Sequence, residues 1–343
     1  MRSLTAKKSG GFAPVRGIGI IVLLVILVGA VAVISINSGK MGLAPGEVLQ
    51  VLLGNGTARQ QVIVFDFRLP RIVLSILVGI GMGASGCIMQ SLLRNDMASP
   101  GTLGISSGSG LFVILVIAGF SLDGVSSALL LPLLSFAGGL TAAALIFLLS
   151  NSRGRDISPT RLILTGVAIG SGYSAYTLLI TLKLDENQME FVQRWMAGSL
   201  WGDDWRYLAV LAPWVLALTG YALFKSRMLN AIRLGNQTAA GLGVAVKREF
   251  IGLSLAAVAL SSGSVAVGGN FFFVGMISPH LARRLVGPNH KILLPASSLT
   301  GALVVLLADT ITRTVSMGTD VPTGIVITLL STPYFLYLLA KSD

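Results

Sequence analysis

Met228-Leu-Asn-Ala-Ile-Arg-Leu-Gly-Asn-Gln-Thr-Ala-Ala-Gly-Leu-Gly243 is the stretch from which the rest of the chain can be read. Long apolar runs end near Phe224 and resume near Phe250. Between them this segment carries Arg233, Asn236, Gln237 and Thr238, bracketed by Lys225, Arg227, Lys247 and Arg248. Small residues recur at Ala231, Gly235, Ala239, Ala240, Gly241 and Gly243, so a second surface can approach the backbone closely. General helix and turn rules allow two readings, an ordinary polar loop or a compact helical knob offered to a partner outside the lipid.

The flanking runs set the class. Of 343 residues 53% are hydrophobic and only 11% charged, against about a quarter charged in soluble domains. The runs are continuous rather than alternating, which excludes a barrel and leaves an all-α polytopic membrane protein. A spanning helix needs about 20 apolar residues at about 1.5 Å each. Ten runs qualify, near residues 17–36, 71–93, 102–120, 126–150, 160–182, 205–224, 249–268, 272–285, 292–314 and 321–340. Residues 1–16 are read as a basic tail and 17–343 as one ten-helix domain. The first run exceeds the 7–15 residues of a signal-peptide core, so it is read as an uncleaved span.

Between the runs, residues 37–70 read as a polar loop. Residues 183–204 read as amphipathic, with Trp195, Trp201 and Trp205 suited to the headgroup level. Gly79, Gly83 and Gly86 mark a small-residue face on the second span, the usual device for close packing in lipid. With both termini inside, 17 of the 25 basic residues fall on the cytoplasmic side, an asymmetry that sets the orientation. The net charge of +11 is therefore explained by span ends rather than by nucleic acid. The 228–243 segment then lies in the cytoplasm.

Catalysis finds little support. There are two histidines, His280 and His290, and one cysteine, Cys87, inside an apolar run. His280 with Arg283 three residues on makes a poor metal site, and a helix-end hydrogen bond suits it better. No Gly-x-x-x-x-Gly-Lys-Ser/Thr occurs, so the chain does not bind ATP in the P-loop manner. Asp309 and Arg313 sit one helical turn apart. They form either a surface ion pair worth a few tenths of a kcal/mol or, as ionisable groups in lipid, a functional pair.

The chain resembles the FecCD-type permeases of ATP-binding cassette importers, which carry iron–siderophore chelates, haem or cobalamin. Leu229, Asn230, Leu234, Gly235, Ala239, Leu242 and Gly243 match the coupling-helix signature, with Asn236 where the family often has Glu. Phe273 to Arg283 (Phe-Val-Gly-Met-Ile-Ser-Pro-His-Leu-Ala-Arg) match a second signature through Pro279, His280 and Arg283. Asn95 to Gly104 match a third, with Asp96 and Met97 as departures.

The resemblance spans residues of roughly 45 to 340 and implies a type II importer permease architecture. It implies ATPase coupling through Asn230, Leu234, Gly235, Ala239, Ala240, Leu242 and Gly243. It implies docking of an extracytoplasmic binding protein on Arg68, Arg71 and Arg313, and an inner gate at Ser158, Pro159 and Thr160. Further implications are two ATPase subunits that hold the ATP and magnesium, a second permease copy or a sister permease, and no cofactor on this chain. The cargo would be an iron(III)–siderophore complex, alternatively cobalamin or haem. An ion-coupled secondary transporter is the competing class, and Asp309 is its only acidic candidate inside a span.

Overall fold

The computed structural model describes residues 14–39, 43–119, 125–150, 158–201, 204–315 and 321–340, and among them there is no strand. The helices are α1 (Pro14–Asn37), α2 (Pro45–Leu52), α3 (Ala58–Gln61), a π-helical stretch Val62–Arg68, α4 (Leu69–Leu92), α5 (Ile105–Gly119), α6 (Val125–Ser150) and α7 (Pro159–Thr181). They continue with α8 (Glu186–Met196), α9 (Trp205–Phe224), α10 (Ser226–Arg233), α11 (Asn236–Gly241), α12 (Val246–Gly268), α13 (Phe272–Val286), α14 (His290–Thr314) and α15 (Thr323–Ala340). Each of the ten expected spans contains one of these helices. Among the described residues, seven segments are long and apolar enough to cross a membrane: α1, the Ala58–Leu92 run, α6, α7, α9, α12 and α14. Helices α5 and α15 are shorter apolar helices, and α13 has 15 residues. Most of the expected basic tail lies outside the described residues, and α1 begins at Pro14, inside that tail.

Residues 37–70 are not the loop expected of them. Pro45 opens α2, and the Glu47 carboxylate accepts the Ala44 amide at 2.7 Å. Thr57 and Gln60 cap α3 reciprocally, the capping-box arrangement that satisfies two orphan amides. From α3 the chain runs through the π-helical turns into α4 without a break, a helical run of 35 residues.

Helix α4 is the hub, almost wholly buried, and α14, α12 and α13 pack around it. In lipid there is no hydrophobic force between helices, so close backbone approach and hydrogen bonds must hold the bundle. The small-residue face does this. A Cβ on Gly79 would lie 2.4 Å from the Gly301 carbonyl oxygen, and one on Gly83 2.3 Å from that of Ser297. On Gly86 it would lie 1.7 Å from the Gly275 oxygen, on α13. Buried side chains add direct links. Ser85 donates to the Ala257 carbonyl at 2.6 Å and the Gln90 amide to that of Met276 at 2.9 Å. Ser109 and Ser262 pair at 2.8 Å.

Gly86→Ala therefore cannot be absorbed by a flexible neighbour. It should lower the melting temperature of the detergent-solubilised protein well below that of Gly19→Ala, whose Cβ meets nothing within 4 Å. Equal melting of the two variants would mean that α4 and α13 do not approach this closely.

Candidate functional sites at the two ends of the bundle

At one end, α10 and α11 form two short helices joined at Gly235, whose φ of +113° lies where a side chain is strained. Leu229, Ile232 and Ala239 are buried beneath them, whereas Leu234 and Leu242 are 67% and 65% exposed. Ala240 and Gly243 are also exposed. The seven residues assigned to coupling thus divide. Leu234, Ala240, Leu242 and Gly243 face outward, with Gly235 at the turn, while Ala239 is an anchor and the Asn230 side chain is taken up by the chain itself.

The Asn230 amide makes the central connection. Its Oδ1 accepts the His290 backbone N–H at 3.0 Å and lies 2.6 Å from His290 Nδ1, so the network assigns the ring proton to Nδ1. Its Nδ2 donates to Asn289 Oδ1 at 3.2 Å. Asn289 in turn caps α14, accepting the Lys291 amide. On the far side of the wholly buried imidazole, Nε2 meets Ser91 Oγ of α4. One amide therefore joins α10 to the start of α14 and, through the ring, to the end of α4.

A second connection runs through Asp96. Its carboxylate pairs with Arg283 of α13 and lies 3.6 Å from Arg233 of α10. Burial and the neighbouring Arg283 push the Arg233 guanidinium below its ordinary pKa, and Asp96 pulls it back. Lys225, between α9 and α10, pairs with Glu249 of α12 at 2.7 Å.

The helix-end role expected of His280 falls instead to His290. His280 Nε2 is buried without a hydrogen-bond partner among the described residues, and its ring lies edge-on to Tyr334 at 6.0 Å. Arg283, from the same signature, is the Asp96 partner, and Pro279 is buried inside α13. Ser158 and Pro159 form the N-cap and first residue of α7, followed by Thr160. Residues 151–157, the loop before them, lie outside the described residues.

At the opposite end, Arg68, Arg71 and Arg313 come together across four elements. Asp309, 0% exposed, is shared: its Oδ1 lies 3.0 Å from Arg71 Nε and its Oδ2 3.0 Å from Arg313 Nε. Arg313 also reaches Ser35 of α1. Arg68, only 5% exposed, donates to the Ile36 carbonyl. Sequence spacing showed the Asp309–Arg313 pair but not the third member, Arg71. The three tryptophans also part company: Trp205 is exposed and Trp201 half-buried, whereas Trp195 is buried among neighbouring helices.

Comparison with known proteins places this architecture. The family model of the FecCD transport family matches residues 23–341. An iron(3+)-hydroxamate import system permease protein of Bacillus subtilis, FhuG, is 43% identical over 324 residues, covering 93% of this chain and 95% of the relative. The iron-uptake system permease protein FeuC of the same organism is 37% identical, over 93% of this chain and 96% of its own. A solved structure described as an inward-facing metal-chelate type ABC transporter superposes with a TM-score of 0.79 at 31% identity, covering 95% of this chain and 99% of that one. With its described segments all helical and the match running nearly end to end, the chain belongs to the FecCD transport family.

Proposed function

We propose that this permease is one half of the membrane path of a binding-protein-dependent ABC importer whose cargo is an iron(III)–siderophore chelate. A second copy or a sister permease supplies the other half, and two ATPase subunits, which hold the ATP and magnesium, dock on α10 and α11. That end of the bundle faces the cytoplasm, as do both termini, and the arginine cluster faces the extracytoplasmic binding protein. The cargo assignment is supported by the names of the relatives, which are permeases of iron-hydroxamate and iron-uptake systems.

The observation that carries the reading is the exposed pair Leu234 and Leu242. They stand on a polar element outside the apolar helices, anchored by Asn230 and by Arg233. Exposed apolar side chains on so firmly held a platform are suited to a partner's groove. A partner that pushes this platform moves the ends of α4, α13 and α14 together, because α14 is bonded to it, α13 to it through Asp96, and α4 to it through His290. ATP-driven changes in the partner would then bias the chain between two packings, one open to each side. Asp309 is poorly suited to the competing, ion-coupled reading, because two guanidinium groups already hold its carboxylate.

The test is whole-cell uptake of iron-55 presented as hydroxamate, catecholate and citrate chelates, with and without the gene. Loss of one class on deletion is expected. Unchanged uptake of all three, with a defect in haem or cobalamin use instead, would replace the iron chelate by that cargo.

A further inference from the structure

Near the α10–α11 end of the bundle, a cavity of about 250 Å³ opens between α6 and α12. Leu140, Ala144 and Phe147 line it from α6, and Ile251, Leu255 and Val258 from α12, each set spaced to share one helix face. Of its sixteen lining residues among those described, all but Ser254 are apolar. Its floor is buried, with Met89 of α4, Ile105 of α5 and Leu162 of α7. Leu140, Ala144, Ile251 and Leu255, at the rim, are exposed. The cavity is therefore open on the outer face of the bundle.

Protein interiors are close-packed, and an apolar hollow stays dry rather than filling with water. On the outer face of a membrane protein the material at hand to fill it is hydrocarbon. From Phe250 to Val258 the lining runs about 12 Å along α12, at about 1.5 Å per residue. That is close to the roughly 15 Å of hydrocarbon in one leaflet.

The α12 end of this hollow is basic. Lys247 and Arg248, both exposed, stand one helical turn before Ile251 and so over the lined face. Glu249 beside them is taken by Lys225 at 2.7 Å, and neither has an ion-pair partner among the described residues. No side chain caps the first turn of α12, whose amide end adds to the positive field. Basic residues at a span end are ordinary. Two unpaired ones over an apolar hollow of leaflet depth match a molecule with an anionic head and a hydrocarbon tail.

We propose that this cavity seats one acyl chain of an anionic phospholipid, whose phosphate lies against Lys247 and Arg248. The chain completes the packing between α6 and α12, and the two cations select the head group. The proposal stands on the membrane-spanning fold and not on the cargo, so it survives or fails apart from the transport reading.

The experiment titrates the full-length permease, purified in detergent, with dioleoylphosphatidylglycerol, which is anionic. A parallel titration uses dioleoylphosphatidylcholine, which has the same chains and no net charge. Native mass spectrometry reads occupancy of the tightest lipid site, and the melting temperature is followed alongside. Wild type should bind the anionic lipid at least about fivefold more tightly and melt higher with it. Lys247→Gln combined with Arg248→Gln should abolish that preference. Ala144→Phe, which fills the cavity from its exposed rim, should weaken binding of both lipids about tenfold or more. Its lipid-free melting temperature should equal or exceed that of wild type. Equal affinity of wild type for the two lipids overturns the proposal, as does a preference that survives in the double glutamine variant. Unchanged binding of the anionic lipid by Ala144→Phe also overturns it, because the head group is then held without a chain in the cavity. So does a dimeric wild type beside a monomeric Ala144→Phe, which would give the groove to a second copy of the chain. The glutamine pair, on exposed positions, decides the matter even where Ala144→Phe melts below wild type.

Discussion

Asn230→Ala should uncouple transport from ATP hydrolysis while leaving the permease in the membrane. The substitution removes the acceptor for two groups of His290, its backbone N–H and its Nδ1. His290 is wholly buried behind the Asn230 amide, so the substitution takes the acceptor from both groups at once. An orphaned buried donor costs about 1–3 kcal/mol, enough to let α10 part from α14 although Leu229 and Ile232 still hold it in the core. In purified transporter reconstituted into vesicles, ATPase activity should persist while chelate delivered per ATP falls at least about tenfold, the equivalent of 1.4 kcal/mol. Asp96→Ala should do less, because the Asp96 side chain is 44% exposed and more easily replaced by solvent. A wild-type ratio of transport to hydrolysis in Asn230→Ala would remove His290 from the coupling route.

The second large effect concerns Asp309. Asp309→Ala removes the buried carboxylate that the Arg71 and Arg313 guanidinium groups share. Removing one partner of a buried ion pair costs about 3–5 kcal/mol. Arg71→Met and Arg313→Met each leave Asp309 with its other arginine and should cost less. Thermal unfolding of the three variants in detergent should therefore rank Asp309→Ala as the least stable. If Arg313→Met melts lower than Asp309→Ala, the carboxylate is not what organises the cluster. The same geometry bears on docking. Arg68 is turned into the chain, so a partner's acidic groups would meet Arg71 and Arg313 first.

Much of the bundle was legible because lipid imposes a long apolar period, and a run of about 20 residues has few other uses. The glycine face of α4 was legible for the same reason, as small residues at helical spacing have a packing meaning. Residues 37–70 read as loop in the sequence because α2 is too short to show a period and the polar start of the Ala58–Leu92 run hides its continuity with α4. The signal that was present, Thr57 with Gln60 three residues on, is a cap and not a composition. The π-helical stretch left no mark, since a shifted hydrogen-bond register changes no residue type.

Long-range pairs were out of reach. Asn230 and His290 lie 60 residues apart, and Arg71 and Asp309 lie 238 apart, and no local pattern joins either pair. Asp96, noticed only as a departure from the family motif, carries both Arg233 and Arg283. Amphipathicity marked residues 183–204 but did not show that Trp195 would be sealed beneath neighbouring helices.

The glycine crossings on α4 make the middle of the molecule a stiff beam. The helix is about 36 Å long at about 1.5 Å per residue, and backbone against backbone leaves no long side chains to yield. A push on α10 enters this beam at Ser91, through His290 of α14. It should emerge near Arg71 and Asp309, at the other end, with little lost to bending. Helix α4 would then work as a lever, with the row Gly79, Gly83 and Gly86 as its fulcrum.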